Sequence, residues 1–185
     1  MVAKESEQTL ERGEPVPNVE LPGTDGETHT LADFADYEAV LLVFTCNHCP
    51  YAQAKMPLLN DVAEEYDDVA VVGVNPNDAE AYPEDSFEKM VEWVEDGRVR
   101  YDAYLRDESQ TAAEAYGAVC TPDPFLLRNQ GDTFTLAYHG RLDDALNPDD
   151  EPTEFYVRDA IDAVLAGEEV DLAFLPSRGC SIKWK

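Results

Sequence analysis

The chain has 185 residues, with 40 acidic side chains against 13 basic ones, three histidines and four cysteines, for a formal net charge of −27. That length allows one domain with a sizeable core. The shortage of lysine and arginine excludes the clustered phosphate contacts of a nucleic-acid binder, and no segment reaches the apolar length of a membrane helix.

The acids run through the whole chain, as in Glu64-Glu65, Asp67-Asp68, Asp143-Asp144 and Asp149-Asp150-Glu151. A disordered acidic protein lacks aromatic and β-branched residues; this chain has many. A folded surface of this charge repels itself in dilute buffer. Molar salt shortens the Debye length to about 3 Å and removes that repulsion. The expectation is therefore a salt-rich cytoplasm, as in a halophilic archaeon or bacterium. Met1 to Glu14 is charged and has no apolar signal region, in keeping with a cytoplasmic protein. Cysteines in such a compartment are catalytic or metal-binding more often than structural.

Residues 1–15 read as a polar arm, and 16–185 as a single domain with a C-terminal tail. Val16 to His29 alternates around Gly23 and Asp25-Gly26 and predicts a β-hairpin. Leu31 to Phe34 is one helical turn. Ala39-Val40-Leu41-Leu42-Val43-Phe44 is a continuous apolar run of strand length, suited to a central strand covered on both faces. A helix from Pro50 to about Tyr66 follows, with a kink expected at Pro57. Val69 to Val74 is the next strand.

Asp85-Ser86-Phe87-Glu88 reads as a capping box, opening a helix with Phe87, Met90, Val91 and Val94 inward and Gly97 as its stop. Val99 to Leu105 is a strand, and Ser109 to Tyr116 a helix ended by Gly117. Phe125 to Arg128 and Phe134 to Tyr138 form an antiparallel hairpin. Thr153 caps a last helix with Val157, Ala160, Ile161 and Val164 inward. The tail from Glu168 has no clear period. Strands alternating with helices imply parallel crossovers, and the late hairpin adds antiparallel edge strands. The fold class is α/β: a central mixed sheet with helices on both faces and an N-terminal hairpin, a layout of which the thioredoxin-like fold is one example.

Phe44-Thr45-Cys46-Asn47-His48-Cys49-Pro50 lies where a buried strand ends and a helix begins. Unpaired N–H groups and the helix dipole there favour a thiolate, and a protonated His48 adds a full charge. The two-residue spacing lets the sulfurs meet on the first turn, one to attack and the other to resolve; by analogy with thioredoxin folds the exposed attacker is Cys46 and the resolver Cys49. The competing readings are inert buried thiols or part of a zinc site. Zinc wants four ligands; Cys46, His48, Cys49 and Cys120 supply them only if Cys120 lies nearby. With no second CxxC or HxxxH pair, no metal is expected.

Cys120-Thr121-Pro122-Asp123 precedes the strand at Phe125, a slot that in thioredoxin folds holds a cis-proline loop facing the cysteine pair; an ordinary trans proline in a turn is the competing reading. Pro122 is the candidate, with Thr121 exposing its backbone to an extended substrate. Cys120 is either a third redox cysteine or a small residue packing the loop. Cys180 lies in a basic tail, Ser177 to Lys185, which either brings it to the site or docks it as a buried thiol. His29 and His139 read as isolated surface or hairpin residues. Asn75-Pro76-Asn77-Asp78 reads as a capped loop, and Arg141 to Asp144 as a surface ion-paired turn.

Cys46-Asn47-His48-Cys49-Pro50-Tyr51, Asn77-Asp78, Tyr82-Pro83-Glu84-Asp85-Ser86, Cys120-Thr121-Pro122-Asp123, Gly140-Arg141-Leu142-Asp143-Asp144 and Gly179-Cys180-Ser181-Ile182-Lys183-Trp184 stand together in one order. This set resembles the peroxiredoxin-like, redoxin-domain proteins of the alkyl hydroperoxide reductase/thiol-specific antioxidant family, from about Val16 onward. The resemblance implies a thioredoxin-like fold and antioxidant or oxidoreductase activity. The chain departs from peroxiredoxins, which resemble P-x-x-x-[TS]-x-x-C: counting back from Cys49 gives Leu42 and Cys46, and from Cys46 gives Ala39 and Val43. It departs from W-C-G-P-C thioredoxins at Thr45, Asn47 and His48, and Val40 replaces their buried acid.

The expected function is thiol–disulfide exchange by Cys46 and Cys49, with His48 tuning the thiol and Thr121-Pro122 framing the substrate. Thiol-dependent peroxidase activity is the alternative among enzymes, and a redox-sensing or metal-holding binding protein the alternative outside them. The partners expected are a protein or small-molecule disulfide or peroxide and a cellular thiol reductant, with no nucleic acid, membrane or cofactor.

Overall fold

The computed structural model describes residues 2–185. In chain order its elements are β1 (Ala3–Glu5), β2 (Glu20–Pro22), β3 (Thr28–Thr30), β4 (Ala39–Phe44), α1 (Pro50–Glu65), β5 (Val69–Asn75), α2 (Phe87–Glu95), β6 (Ala103–Arg106), α3 (Thr111–Tyr116), β7 (Cys120–Thr121), β8 (Asp123–Asn129), β9 (Phe134–His139), α4 (Tyr156–Leu165) and β10 (Arg178–Ser181).

The main sheet runs β6-β5-β4-β8-β9. β4, β5 and β6 are parallel, and β8 and β9 are antiparallel to their neighbours. β4 is central because every one of its six side chains is buried. Its alternate residues serve two cores. Val40, Leu42 and Phe44 pack with Tyr116 and Ala113 of α3. Ala39, Leu41 and Val43 pack with Leu59 and Val62 of α1 and with Ala160 and Ile161 of α4. The expected mixed sheet with helices on both faces is therefore present, and β2 and β3 form the expected N-terminal hairpin.

α1 runs as one helix with Pro57 inside it. Other local expectations are corrected. α2 buries Met90 and Trp93 and leaves Phe87 and Val94 about one-third exposed, at 36% and 37%. The helix is turned to seat Trp93 and Met90 against Met56, Val99 and Tyr104. Its cap is Ser86, whose Oγ accepts from Lys89 N; Asp85 turns inward. Thr153 does not cap α4, because its hydroxyl and amide both bond the Asp144 carboxylate.

The tail is not formless. β10 lies between β1 and β7, antiparallel to both, with Cys180 opposite Thr121 and Ala3. The segment read as a polar arm, 1–15, thus carries a paired strand. It also bonds the β9 edge through Gly13 N–Leu136 O and Leu136 N–Glu14 O. Met1 lies outside the described residues.

Gly117 ends α3 in the left-handed region at φ +69°, where a Cβ would strike the Thr9 side chain. Gly117→Ala therefore combines backbone strain with a clash and is expected to cost about 1–3 kcal/mol, read as a lower denaturant midpoint.

Candidate functional site

The end of β4 delivers Thr45, Cys46 and Asn47, all fully buried, to the start of α1. Cys49 is the N-cap of that helix, and its carbonyl accepts from Gln53 N at 2.9 Å. The Cys49 side chain makes no cap bond to the helix-start N–H groups, and the Cys49 amide is directed to the Cys46 sulfur instead.

Cys49 is not paired with Cys46. It is disulfide-bonded to Cys180, 131 residues on, with the two Cα atoms 6.3 Å apart. Cys46 and Cys120 are free, buried thiols. Cys46, Cys49, Cys180 and Ala52 pack in one buried cluster. Thr121 serves both CxxC sulfurs: Cys46 Sγ is 3.2 Å from its hydroxyl, and Cys49 Sγ 3.6 Å from its carbonyl oxygen. The Thr121–Pro122 peptide bond is cis. Cys49, Cys46, Thr121, Pro122 and Cys180 are thus brought together. Cys120 is not; its sulfur faces the Ser177 carbonyl at 4.0 Å.

Two expectations for Cys46 are overturned. It is fully buried rather than exposed. Its thiol is pushed up to about 12 by burial first and then by the Asp85 charge, against weaker help from the Thr121 hydroxyl, the Cys49 amide and Lys183. Burial strips water from the thiolate, and a like charge opposes it. Cys120 is likewise pushed up by burial and by Asp123.

Asp85 is the residue missed in the sequence. It is fully buried. Its Oδ1 accepts from Asn47 N at 2.7 Å, from His48 N at 3.3 Å and from Asn75 Nδ2 at 3.3 Å. Its Oδ2 accepts from Asn77 Nδ2 at 2.9 Å and pairs with His48 Nδ1. Burial pushes its carboxyl up, but the bonds from His48, Asn77 and Asn47 and the His48 charge together outweigh it, and the net direction is down. His48 is thereby committed to Asp85, while its ring stacks on Tyr82 at 5.0 Å. Asn75 and Asn77, read as a plain capped loop, complete this cradle. Tyr104 adds a bond to the Asn47 side chain at 2.7 Å. The signal was available: Tyr82 to Ser86 belonged to the motif set, yet Asp85 was assigned only to the capping box.

Cys46, His48 and Asp85 offer ligand atoms within 4.8 Å of one another. A thiolate, an imidazole and a carboxylate suit a zinc-like ion. The four-ligand set weighed from the sequence does not assemble, because Cys49 is in the disulfide and Cys120 points elsewhere.

The other histidines divide. His29 pairs with Asp25 on the hairpin. His139 lies on the hairpin at the end of β9, as expected, but is buried and not isolated, bonding Asp123 at 2.7 Å. Arg141 to Asp144 is also not a surface turn throughout, since buried Asp143 accepts from Lys55 at 2.6 Å.

The model of the AhpC/TSA family matches residues 12–139, more than half of the chain. The chain belongs to the AhpC/TSA family. A search of curated proteins found no match. An uncharacterized conserved protein from Geobacillus kaustophilus is 38% identical over 100% of this chain and 97% of its own, with a TM-score of 0.86. A hypothetical protein from Sinorhizobium meliloti is 37% identical over 98% and 99%, with a TM-score of 0.85. A peroxidoxin from Mycobacterium tuberculosis, at 19% identity over 85% and 96% and a TM-score of 0.59, shares the thioredoxin-like fold. Membership in the AhpC/TSA family supports a thiol-based redox function.

Proposed function

We propose that this AhpC/TSA protein is a thiol–disulfide oxidoreductase in which Cys49 attacks the substrate and Cys46 resolves, the reverse of the order expected by analogy. The observation that carries the reading is the cluster of Cys46, Cys49 and Cys180 against Thr121, with Cys49 as the sulfur that already holds a partner. In the reduced chain the Cys49 thiolate attacks a substrate disulfide, forms a mixed disulfide and releases one substrate thiolate, which takes up a proton. Cys46 gives up its proton and attacks Cys49. A Cys46–Cys49 bond forms, and the second substrate thiol leaves.

Cys180 then displaces Cys46 from Cys49. One disulfide breaks, one forms, and a proton passes from Cys180 to Cys46, giving the closed form with its sulfurs out of water. An external dithiol returns the two electrons. Thr121 and Pro122 frame the partner strand, and His48 acts through Asp85, not directly on a sulfur.

The test is dithiol-driven reduction of a protein disulfide. Cys49→Ser is expected to fall to background. Cys46→Ser should turn over more slowly and, combined with Cys180→Ser, should accumulate the mixed disulfide, whereas Cys180→Ser alone should stay active. Full activity in Cys46→Ser would remove the resolving role. Peroxide turnover is expected to be no faster than that of a free thiol, because the activating hydroxyl is missing at its offset from either cysteine. Fast peroxide consumption lost in Cys49→Ser but kept in Cys46→Ser favours the peroxidase instead.

The net charge of −27 supports a salt-rich cytoplasm as the working compartment. The expected result is a melting temperature that rises between 0.1 M and molar potassium chloride as the self-repulsion is screened; an unchanged or falling value argues against it.

A further inference from the structure

β10 does more than carry Cys180. It lies antiparallel on the β7 edge, Cys180 opposite Thr121 and Ser181 opposite Cys120, which sets its cysteine on Cys49. The chain beyond it is held largely by its backbone. Ile182 N donates to Val119 O at 3.0 Å, and Asp78 N to Lys183 O at 2.8 Å. Two buried amide side chains are aimed at this backbone: Asn77 Oδ1 accepts from Lys183 N at 2.9 Å, and Gln110 Nε2 donates to Lys183 O at 2.8 Å. Bonds of this kind hold an extended chain whatever its sequence, as in strand-addition recognition.

We propose that residues 177–185 occupy a polypeptide channel of their own chain, and that the channel takes in trans an extended polypeptide whose reactive cysteine follows a glycine and precedes an aliphatic side chain by two positions. This deepens the thiol–disulfide reading and rests on it. The glycine is required because a Cβ at Gly179 would overlap the Thr121 carbonyl oxygen. The aliphatic requirement comes from Ile182, 3% exposed and packed into the main apolar core. Lys183 places its ammonium 5.7 Å from the Tyr82 ring centre. β1 covers the outer edge of β10 with three residues that are all exposed, so one occupant can leave for another without dismantling the sheet core.

The test uses the full chain carrying Cys46→Ser and Cys180→Ser. The probe is a synthetic nonapeptide of the 177–185 sequence whose cysteine bears thionitrobenzoate. Cys49 attacks the peptide sulfur, a protein–peptide disulfide forms, and thionitrobenzoate leaves with the electron pair of the broken bond, giving colour. Peptides with the glycine changed to alanine or the isoleucine to serine are compared, with Ellman's reagent as the small control and mass spectrometry to locate the adduct.

The unaltered peptide is expected to react at least about tenfold faster than either altered one, the effect of a clash or a lost apolar contact of ordinary size. Adding Gly179→Ala to the protein, with a retained melting transition, should speed it further by evicting the tail. Equal rates for all three peptides, with Ellman's reagent still reacting, overturn the channel and leave the thiol chemistry standing. A Cys49 that reacts with no reagent, Ellman's included, overturns both.

Discussion

Asp85→Ala is expected to destabilise the fold by about 3–5 kcal/mol, the cost of removing one side of a buried, charge-bearing network. The carboxylate is fully buried and accepts from two amides, two asparagine side chains and His48. Truncation leaves those donors unsatisfied at about 1–3 kcal/mol each where water cannot enter. Asp85→Asn keeps the shape and loses the charge, so it should cost less. It should also lower the Cys46 pKa, since Asp85 is the second cause of the upward shift there.

The pH dependence has a definite sign. The folded pKa of Asp85 lies below its unfolded value. Its contribution is therefore complete above about pH 3.9 and is lost as pH falls through the lower, folded value. Denaturant melts of wild type and Asp85→Asn between pH 2 and 7 read this directly. A difference between them that does not shrink at the acid end contradicts the assignment.

In the disulfide form, Cys46 is expected to alkylate about 10³-fold more slowly than a free cysteine at neutral pH. Its thiol sits near pH 12 through burial and Asp85, which leaves roughly one thiolate in 10⁵ against a few per cent for a free thiol. Burial slows the reagent further. Opening Cys49–Cys180 with a dithiol removes the covalent hold on the tail and lets it leave its channel part of the time, which admits water and weakens the effect of Asp85, so the same alkylation should accelerate by at least about 10². Rates are followed with iodoacetamide and peptide mass spectrometry. A free-cysteine rate at Cys46 before reduction contradicts the closed site.

The parts of this molecule legible in its sequence are those where one pattern meets one demand. The run Ala39 to Phe44 is apolar at every position because both its faces are covered, and Val157, Ala160, Ile161 and Val164 mark the buried stripe of α4. The strand–CxxC–helix corner was legible for the same reason. Asp85 was not, because an acid beside a serine at a helix start satisfies the capping pattern without revealing which of the two turns inward. The phase of α2 was missed because Trp93, the residue that sets it, stands among acids in the sequence. β10 is four residues long and earns its place only by pairing with segments far off in the chain. The Cys49–Cys180 bond depends on that pairing, which spacing along the chain does not encode.

The most direct test of the account is peptide mapping without reduction, after blocking thiols in the air-oxidised protein. Recovery of the Cys49 peptide linked to the Cys180 peptide, with Cys46 and Cys120 carrying the blocking group once the chain is unfolded, is the expected result. Recovery of Cys46 joined to Cys49, with Cys180 blocked, would mean that the tail does not close the site, and the scheme built on it fails.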